Sequence, residues 1–554
     1  MSAGDASLRE RVRATVAWAA TPLALVFVHL ALSMYYWLPE LGGRALLQPT
    51  WELSAVLVLL CLLGLRRWPR GVEVTARVLL TVGAFGFMLL GFAQGFARLE
   101  FGYDVVLAID LKYVPVLFGM MFRADSPARA IFNCLVIAAV VSIAVSGLWL
   151  SIRQLQRAAA DAARRNRLGA GAGVIVLAAG LILGFNGPLT RVANDQIDIA
   201  LHKQRRVLFV AKQMEHEVAT ARGGTGFHTG TWRPTVLVFV VESYGAAMIQ
   251  QPQFADFRTW LAVETSQLGL AGYTVRSRYL TSPVFGGSSW MADATLLCGV
   301  KVNNQQRYEA LKLAALSCLP EILNKAGYET VFAAGNTTFV DASFRRLFPF
   351  TRMLLKDDLK YVGPRFAWSF MPDQFVIDRV DREVMRPRTA ASPPLFTLYM
   401  LTSSHHPWSR IPPYVDNWDD LGDGKIFEKV TGQEFMGNQF LSGSDYAHGF
   451  DASVRYALHT VFEYVRSLPA TPAGQDAPII IILGDHQPRH PIAEMKSDNW
   501  WVPLHVISRD PKAVERFASL GYVPGITPDR ALGSLPLERF IDQLLLVLGP
   551  PRHP

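Results

Sequence analysis

Charged residues are scarce in this sequence, and the scarcity is uneven. Asp, Glu, Lys and Arg together make up 18% of the 554 residues, whereas an ordinary soluble domain carries about 25%. Hydrophobic residues reach 51%, and their longest runs lie within the first 186 residues. This distribution argues against a protein that is soluble throughout, and it predicts a membrane-embedded N-terminal half.

Cysteine is also rare. The chain has four, with no CxxC pair and no zinc-finger spacing, which excludes a cysteine-ligated zinc module. Cys61 and Cys134 lie inside apolar runs. Cys298 and Cys318 lie in the C-terminal half. If that half is outside the cytoplasm, they can form a disulfide that closes a loop of about 20 residues; the alternative is two buried free thiols.

Five apolar runs approach the length of about 20 residues that a bilayer span needs: 14–38, 51–65, 78–98, 128–151 and 169–186. Arginine clusters precede the first run and separate the second from the third and the fourth from the fifth; they contain Arg9, Arg11, Arg13, Arg66, Arg67, Arg70, Arg77, Arg153, Arg157, Arg164, Arg165 and Arg167. Such clusters face the cytoplasm. Because they account for much of the net charge of +8, no nucleic-acid partner is expected.

A sixth apolar stretch, 103–122, carries Asp104, Asp110 and Lys112. If it crossed the bilayer, the arginine-rich residues 152–167 would face outward. Parity therefore predicts an interfacial or re-entrant segment on the outer side, and five spans then place everything after Phe185 outside. The three charges either contact a lipid headgroup or belong to a solvated juxtamembrane helix.

Residues 187–230 are predicted to link a membrane domain (1–186) to a C-terminal domain (231–554). The stretch 194–221 is polar, helical in pattern and basic at Arg205 and Arg206, which favours a helix along the membrane surface. Glycines at positions 223, 224, 226 and 230 interrupt the chain before the C-terminal domain begins.

The C-terminal half has an α/β pattern. Short β-branched runs at 235–241, 330–333, 395–401 and 479–483 predict buried strands, and 320–326 and 451–466 predict amphipathic helices. This alternation predicts a mainly parallel sheet covered by helices.

Polar residues come shortly after three of these strands: Glu242, the pair His405-His406 after Thr402, Ser403 and Ser404, and the pair Asp485-His486 after Gly484. In open α/β sheets, ligands bind at the carboxyl ends of the strands. Glu, Asp and His together form a ligand set for a divalent metal ion. We therefore expect a metal site at this edge of the sheet.

A candidate nucleophile lies in the segment 285–290, which reads Phe-Gly-Gly-Ser-Ser-Trp. The two glycines allow a tight bend and close approach to a phosphate. A hydroxyl at the following helix start, on either Ser288 or Ser289, benefits from the positive helix end, and metal coordination would activate it. The alternative is a Gly-Ser loop with an ordinary helix cap.

The order of these motifs resembles the sulfatase/alkaline-phosphatase superfamily. It is most similar to the membrane-embedded branch, which contains lipoteichoic acid synthases, phosphoglycerol transferases of periplasmic glucans and phosphoethanolamine transferases. The resemblance implies an all-α bundle of five N-terminal spans and an extracytoplasmic α/β sulfatase-like domain. It also implies a location in the bacterial inner membrane.

By the same resemblance, Glu242, Asp485 and His486 are metal ligands together with the nucleophile. The spacing from Ser289 to Ala292 and Asp293 favours Ser289 as the nucleophile, with Ser288 as the alternative. The remaining positions that the resemblance assigns to substrate binding are His405 with His406 as the alternative, His490 as a leaving-group or supporting residue, and Asn336, Arg345 and Arg346 as phosphate contacts.

The activity implied is transfer of a phospholipid-derived headgroup to an envelope glycan or glycolipid through a phospho-serine intermediate, with manganese, zinc or magnesium as cofactor. Cys298 is followed by Gly-Val-Lys, not by the x-Pro-x-Arg of formylglycine sulfatases. The motif Asp-His-Gln-Pro and the few cysteines favour phosphoglycerol over phosphoethanolamine. The alternatives are a membrane-bound phosphodiesterase or phosphatase that uses water, and a non-catalytic envelope scaffold.

Overall fold

The computed structural model describes residues 20–33, 51–64, 68–101, 104–115, 127–165, 188–222, 232–430, 432–435, 444–472, 475–494 and 500–549. The chain divides into two compact units. One is formed by Met1–Leu99 with Tyr103–Lys203, and the other by Gln204–Pro554 with Glu100–Gly102. The first unit is helical, and all of the described strands lie in the second.

The first unit consists of helices with apolar outer surfaces: α1 (Ala20–Leu32), α2 (Trp51–Gly64), α3 (Arg70–Phe101), the one-turn α4 (Leu107–Asp110) and α5 (Pro127–Arg165). Stretches of α3 and α5, Arg70–Arg98 and Ile131–Asp161, are long and apolar enough to cross a bilayer. Only 17% and 11% of their most apolar windows are buried, which distinguishes them from core helices of a soluble protein.

The other expected spans are described in part. The apolar helices Ala20–Leu32 and Leu53–Leu63 are shorter than a bilayer span, and the expected fifth run, 169–186, lies outside the described residues. The total of five spans, and with it the orientation, stays a prediction.

The charged stretch predicted to lie at the membrane interface is described over residues 104–115 as α4 and a 3₁₀ turn, Leu111–Tyr113. Asp104 pairs with Arg98, and Asp110 accepts a hydrogen bond from the Val106 backbone N–H at 2.6 Å. Both carboxylates thus have protein partners, and a headgroup contact for them stays a prediction.

α6 (Pro188–Arg222) covers most of the predicted linker. It is bent at His202, whose φ of −114° and ψ of 17° are non-helical. Beyond the bend, the helix belongs to the second unit and buries Val207, Ala211, Met214 and Val218. Ion pairs join Glu217 to Arg307 at 2.6 Å and Arg222 to Asp542 at 3.2 Å. The C-terminal part of α6 is therefore an integral part of the second unit.

The second unit alternates strands and helices. Its strands are β1 (Val236–Val241), β2 (Thr274–Thr281), β3 (Glu329–Ala334), β4 (Arg352–Leu355), β5 (Leu395–Leu401), β6 (Arg410–Ile411), β7 (Gln433–Glu434), β8 (Ile479–Gly484), β9 (Trp501–Ser508), β10 (Val523–Pro524) and β11 (Ser534–Pro536). Its further helices are α7 (Ala247–Gln250), α8 (Ala255–Leu270), α9 (Ser289–Cys298), α10 (Gln305–Leu311), α11 (Leu319–Lys325), α12 (Ala342–Leu347), α13 (Asp373–Val380), α14 (Ser444–Ser467), α15 (Pro511–Glu515) and α16 (Phe540–Leu548).

Nine strands form one sheet in the order β10-β2-β9-β8-β1-β5-β3-β4, with β11 beside β2. The run β8-β1-β5-β3-β4 is parallel, whereas β9 is antiparallel to both β8 and β2. β1, β5 and β8 are apolar almost throughout, as strands covered on both faces are. The expected fold class, a helical N-terminal region and a C-terminal α/β domain with a mainly parallel sheet, is confirmed.

Cys298 and Cys318 form a disulfide, so the bonded alternative is the one that the structure has. Cys298 is the last residue of α9 and Cys318 directly precedes α11. Arg222 donates to the carbonyl of Cys298 at 3.1 Å. The disulfide therefore fixes the C-terminal end of the helix whose first residue is Ser289.

Candidate metal centre and nucleophile

The three strands that carry the polar motifs are neighbours, with β1 between β5 and β8. Val241 is paired with Leu401 on one side and with Gly484 on the other. The residues that follow these partners, among them Glu242 and Asp485, therefore leave the sheet at the same edge, as expected for parallel strands.

Two glycines allow the loops after β1 and β8 to touch. A Cβ on Gly484 would lie 1.8 Å from the carbonyl oxygen of Tyr244, and a Cβ on Gly245 would lie 2.0 Å from Oε1 of Gln487. Only a residue without a Cβ permits these approaches. They bring Glu242 and Asp485 close enough to act on one ion.

The predicted metal ligands converge. One atom each of Glu242, Asp485 and His486 lies within 4.8 Å of the other two, and all three residues are buried. His486 Nε2 is 3.1 Å from Oε1 of Glu242 and 3.4 Å from Oδ2 of Asp485. This is a compact donor set of two carboxylates and one imidazole.

Hydrogen bonds orient these donors. His486 Nδ1 donates to the Gln487 carbonyl at 2.8 Å, which leaves Nε2 of the neutral ring available as a ligand. Oδ1 of Asp485 accepts from the backbone N–H groups of Ser243 and His486, both at 2.8 Å. Ser243 has a φ of 59°, an uncommon value for a residue other than glycine, and this turn aims its N–H at Asp485.

The candidate nucleophile lies at the start of α9. Gly286, Gly287 and Ser288 have φ values of 68°, 155° and 67°, and this left-handed turn delivers Ser289 to the donor set. The Ser289 hydroxyl is 3.0 Å from Oε2 of Glu242 and 3.2 Å from Nε2 of His486. Ser288 is the N-cap and makes no side-chain capping bond. The structure thus brings Ser289 to the donor set; its role as nucleophile stays a prediction.

Carboxylates crowd this site. Burial and the charge of Glu242 raise the pKa of Asp485, against the opposing charge of His486. Burial and the charges of Asp485 and Glu242 raise the pKa of Asp293 well above its usual range. Burial also acts to raise the pKa of Glu242, but the neighbouring histidines outweigh it and lower that pKa. Without a cation, the raised pKa values of Asp485 and Asp293 therefore oppose ionisation of all three carboxylates together.

A divalent cation fits this arrangement. Oδ2 of Asp485 and Oδ1 of Asp293 are enclosed and have no hydrogen-bond partner in the part of the chain that the structure describes. Unpaired buried carboxylate oxygens are costly unless a cation satisfies them. Glu, Asp, His and a serine hydroxyl are donors that zinc and manganese both accept.

The two histidines after β5 differ in their surroundings. The His405 ring stacks on Trp368 at 4.8 Å between ring centres, and the charge of Glu242 acts on it against the burial that lowers its pKa. His406 packs edge-on against Trp408 and Tyr446, and burial lowers its pKa to about 3. His405 is thus the one electrostatically coupled to Glu242, while His406 contributes to an aromatic cluster.

The remaining predicted substrate contacts make other hydrogen bonds or are exposed. Oδ1 of Asn336 accepts from the Phe370 backbone N–H at 3.0 Å, so this residue supports the neighbouring loop. His490 is exposed. Arg345 and Arg346 are exposed, and Arg346 bonds to the Lys312 carbonyl at 3.2 Å. Phosphate contacts from these residues stay predictions.

The sequence reasoning missed Trp368 and Asp373. Asp373 is 1% exposed and opens α13 next to the loop that carries His405. A buried acid at a helix start looks in sequence like a routine cap. Only the hydrogen bonds that Asp373 accepts from Thr402 and Ser403 reveal that it lies beside this loop.

No protein-family profile matches the chain, and no curated protein matches it in sequence. Among solved structures, it is similar to the integral membrane protein lipooligosaccharide phosphoethanolamine transferase A from Neisseria meningitidis, with 12% identity, 95% of each chain covered and a TM-score of 0.43. A protein in the alkaline phosphatase superfamily from Vibrio parahaemolyticus is 14% identical over 60% of this chain and 78% of its own, with a TM-score of 0.36.

A Streptococcus pyogenes phosphoglycerol transferase is 12% identical over 55% of this chain and 75% of its own, with a TM-score of 0.31. These proteins are of the kinds that the motifs resemble.

Proposed function

We propose that this protein transfers a phosphorylated headgroup from a phospholipid to a hydroxyl group of an envelope glycan or glycolipid. The observation that carries the proposal is the Ser289 hydroxyl, 3.0 Å from Glu242 and 3.2 Å from His486 within a divalent-metal donor set. A hydroxyl in this position suits covalent transfer, because it can first take and then release the phosphoryl group.

In this proposal Glu242, Asp485, His486 and Ser289 hold one divalent ion, manganese or zinc, with magnesium as the third option. When bound, the ion stabilises charge on the phosphoryl oxygens and lowers the pKa of a coordinated hydroxyl. Glu242 is the acceptor within reach of the Ser289 proton, at 3.0 Å, because Nε2 of His486 would be held by the ion.

The reaction consists of two displacements. In the first, Ser289 Oγ forms a bond to phosphorus, the ester bond to diacylglycerol breaks, and diacylglycerol leaves with a proton. In the second, an acceptor hydroxyl forms a bond to phosphorus, the bond to Ser289 breaks, and the serine regains a proton. His405 binds the headgroup in both steps, with His406 as the alternative.

The headgroup in this proposal is phosphoglycerol in preference to phosphoethanolamine. Its support is in the sequence: the metal-binding strand end reads Asp485-His486-Gln487-Pro488, and outside the predicted spans the chain has one cysteine pair, Cys298 and Cys318.

The cellular arrangement belongs to the same proposal. Residues 1–186 cross the bacterial inner membrane five times, and the domain from residue 231 onward lies outside the cytoplasm. The long apolar stretches of α3 and α5 support membrane insertion, and the disulfide is typical of an oxidising compartment. The donor lipid would then be concentrated in the same bilayer as the enzyme.

Mass spectrometry of the full-length protein after incubation with defined phospholipids tests the proposal. The expected result is an adduct on Ser289 whose mass identifies the headgroup, with release of diacylglycerol. A phosphoethanolamine adduct would overturn the headgroup preference alone. Lipid turnover without any serine adduct would favour a hydrolase that uses water, and neither turnover nor bound metal would favour the scaffold.

Variants of the two adjacent serines sharpen this test. Ser289→Ala should lower donor cleavage by several orders of magnitude, because it removes both the attacking oxygen and one metal donor. Ser289→Thr should keep measurable activity, since a secondary hydroxyl can still coordinate and attack. Ser288→Ala is the matched control and should cost far less. If Ser288→Ala were inactive and Ser289→Ala active, the nucleophile would be Ser288.

A further inference from the structure

Two loops meet beside the donor set. One is the histidine loop, Thr402–His406, which follows β5. The other is Trp368–Asp373, called here the clamp segment, which ends at the first residue of α13. The histidine loop lies far from Glu242 and Asp485 in the chain, yet it reaches the same edge of the sheet because β5 pairs with β1.

Asp373 makes the densest set of contacts between the loops. Its Oδ1 accepts from the backbone N–H of Thr402 at 2.8 Å and from that of Ser403 at 3.1 Å. Its own backbone N–H donates to the Ser403 hydroxyl at 3.0 Å. The bonds are reciprocal, as in a capping box, but they join two separate loops rather than one helix turn.

Two more residues of the clamp segment contact the histidine loop. The Ser369 hydroxyl donates to the Thr402 carbonyl at 2.5 Å. Trp368 stacks on the His405 ring, with 21° between the ring planes. The clamp segment therefore holds both the backbone that leads to His405 and the imidazole itself.

The histidine loop is in turn joined to a metal ligand. The Ser404 hydroxyl donates to the backbone carbonyl of Glu242 at 2.6 Å, and Trp408 Nε1 donates to the Ser404 carbonyl at 2.6 Å. A shift of the histidine loop would thus move His405 relative to the donor set.

A buried carboxylate is a costly way to hold a loop, since its charge has lost its water. Asp373 is 1% exposed, and none of the ion pairs among the described residues includes it. Burial raises its pKa to about 7, and the hydrogen bonds from Thr402 and Ser403 limit this rise. The gain that offsets this cost is that a carboxylate can accept hydrogen bonds from two adjacent backbone N–H groups.

We propose that Asp373 is a positioning residue that sets His405 against the substrate headgroup by fixing the backbone of the histidine loop. This inference rests on the proposed headgroup transfer. In this inference Asp373 does not contact the substrate. Any effect of Asp373 on headgroup binding must therefore pass through His405.

The test uses full-length protein, a phospholipid donor of defined headgroup and three readouts: KM for the donor, kcat, and bound metal. Asp373→Ala should raise KM and lower kcat/KM by about 100-fold, the size expected for a misplacement near 1 Å, with metal content unchanged. Asp373→Asn keeps Oδ1 as an acceptor and should restore most of the loss.

The matched control is Asp378→Asn. Asp378 lies on the same helix and is also 1% exposed, but it pairs with Arg382 at 2.8 Å rather than with the histidine loop. The Asp378→Asn variant should change thermal stability without changing KM for the donor. Should Asp373→Ala fail to fold, Ser403→Ala removes one bond of the same set and should shift KM in the same direction.

A double-mutant cycle with His405→Ala decides between positioning and general structural support. If Asp373 acts through His405, Asp373→Ala should cost little further activity once His405 is absent. An undiminished additional loss in the His405→Ala background, or normal kinetics of Asp373→Ala, would overturn the inference. Failure of wild-type protein to form a serine adduct would instead overturn the proposed function.

Discussion

The close approach of the loops after β1 and β8 makes a sharp prediction for Gly484→Ala. The added Cβ would lie 1.8 Å from the Tyr244 carbonyl oxygen and 2.7 Å from the Tyr244 carbonyl carbon. Both atoms are backbone, so no side-chain rotation can relieve the overlap. The chain after Gly484, which carries Asp485 and His486, must move away from the chain after β1, which carries Glu242.

The magnitude follows from the contact distance. A carbon and a carbonyl oxygen approach to about 3.3 Å, so the two loops must separate by roughly 1.5 Å. Metal–ligand distances tolerate only about 0.2 Å. We therefore expect loss of bound metal, a fall in activity of more than about 100-fold, and a stability loss of about 1–3 kcal/mol from overpacking.

The assay measures metal content of purified protein, donor cleavage and thermal unfolding. Gly269→Ala in α8 is the matched control, because nothing lies within 4 Å of its added Cβ; it should leave metal and activity unchanged and stabilise the helix slightly. A Gly484→Ala protein with full metal content, normal activity and unchanged unfolding would refute the geometry described for this site.

Three further predictions concern the metal, the disulfide and the orientation. Glu242→Gln should weaken divalent-metal affinity by at least about 100-fold in a metal titration, and undiminished affinity would remove Glu242 from the ligand set. Replacing Cys298 and Cys318 with Ala should lower the free energy of unfolding by about 3 kcal/mol in urea; equal midpoints would contradict a stabilising bond. Arg157→Cys should resist a membrane-impermeant thiol reagent on intact cells, and labelling from outside would reverse the predicted topology.

The parallel core and the donor set were within reach of sequence reasoning. The expected strands at 235–241, 330–333, 395–401 and 479–483 became β1, β3, β5 and β8 with shifts of one residue at most at each end. Uninterrupted apolar runs that end in polar motifs are a strong signal, because a strand buried on both faces leaves few alternatives. Their shared orientation then brings Glu242 and Asp485 to one edge.

The antiparallel side of the sheet gave a weaker signal. β2 carries Arg276, Ser277 and Arg278 between its apolar residues, so its local composition is as typical of a loop as of a strand. Its eight residues are fixed by pairing with β9, which is more than 200 positions away in the chain. Non-local pairing of this kind decides the structure and leaves little trace in either segment alone.

The direction in which individual side chains point was the other feature that the sequence did not predict. Asn336 lies at a strand end as expected, yet its carboxamide faces Phe370. His405 and His406 are adjacent, and only packing separates the ring beside Trp368 from the ring beside Trp408. Motif spacing places a residue at the sheet edge, but its neighbours determine where its polar atoms point.

The crowding of carboxylates at the site supports the proposed cation. Glu242, Asp485 and Asp293 bring three carboxylates to one enclosed region, and His486 is the basic group in the donor set itself. Backbone N–H groups satisfy Oδ1 of Asp485, whereas Oδ2 makes no hydrogen bond among the described residues and lies 3.4 Å from Nε2 of His486. A fold that needed only stability would gain by replacing such a group with an apolar side chain of similar volume. The proposed ion, bound to a carboxylate oxygen and to the serine hydroxyl oxygen, would account for a carboxylate in this position.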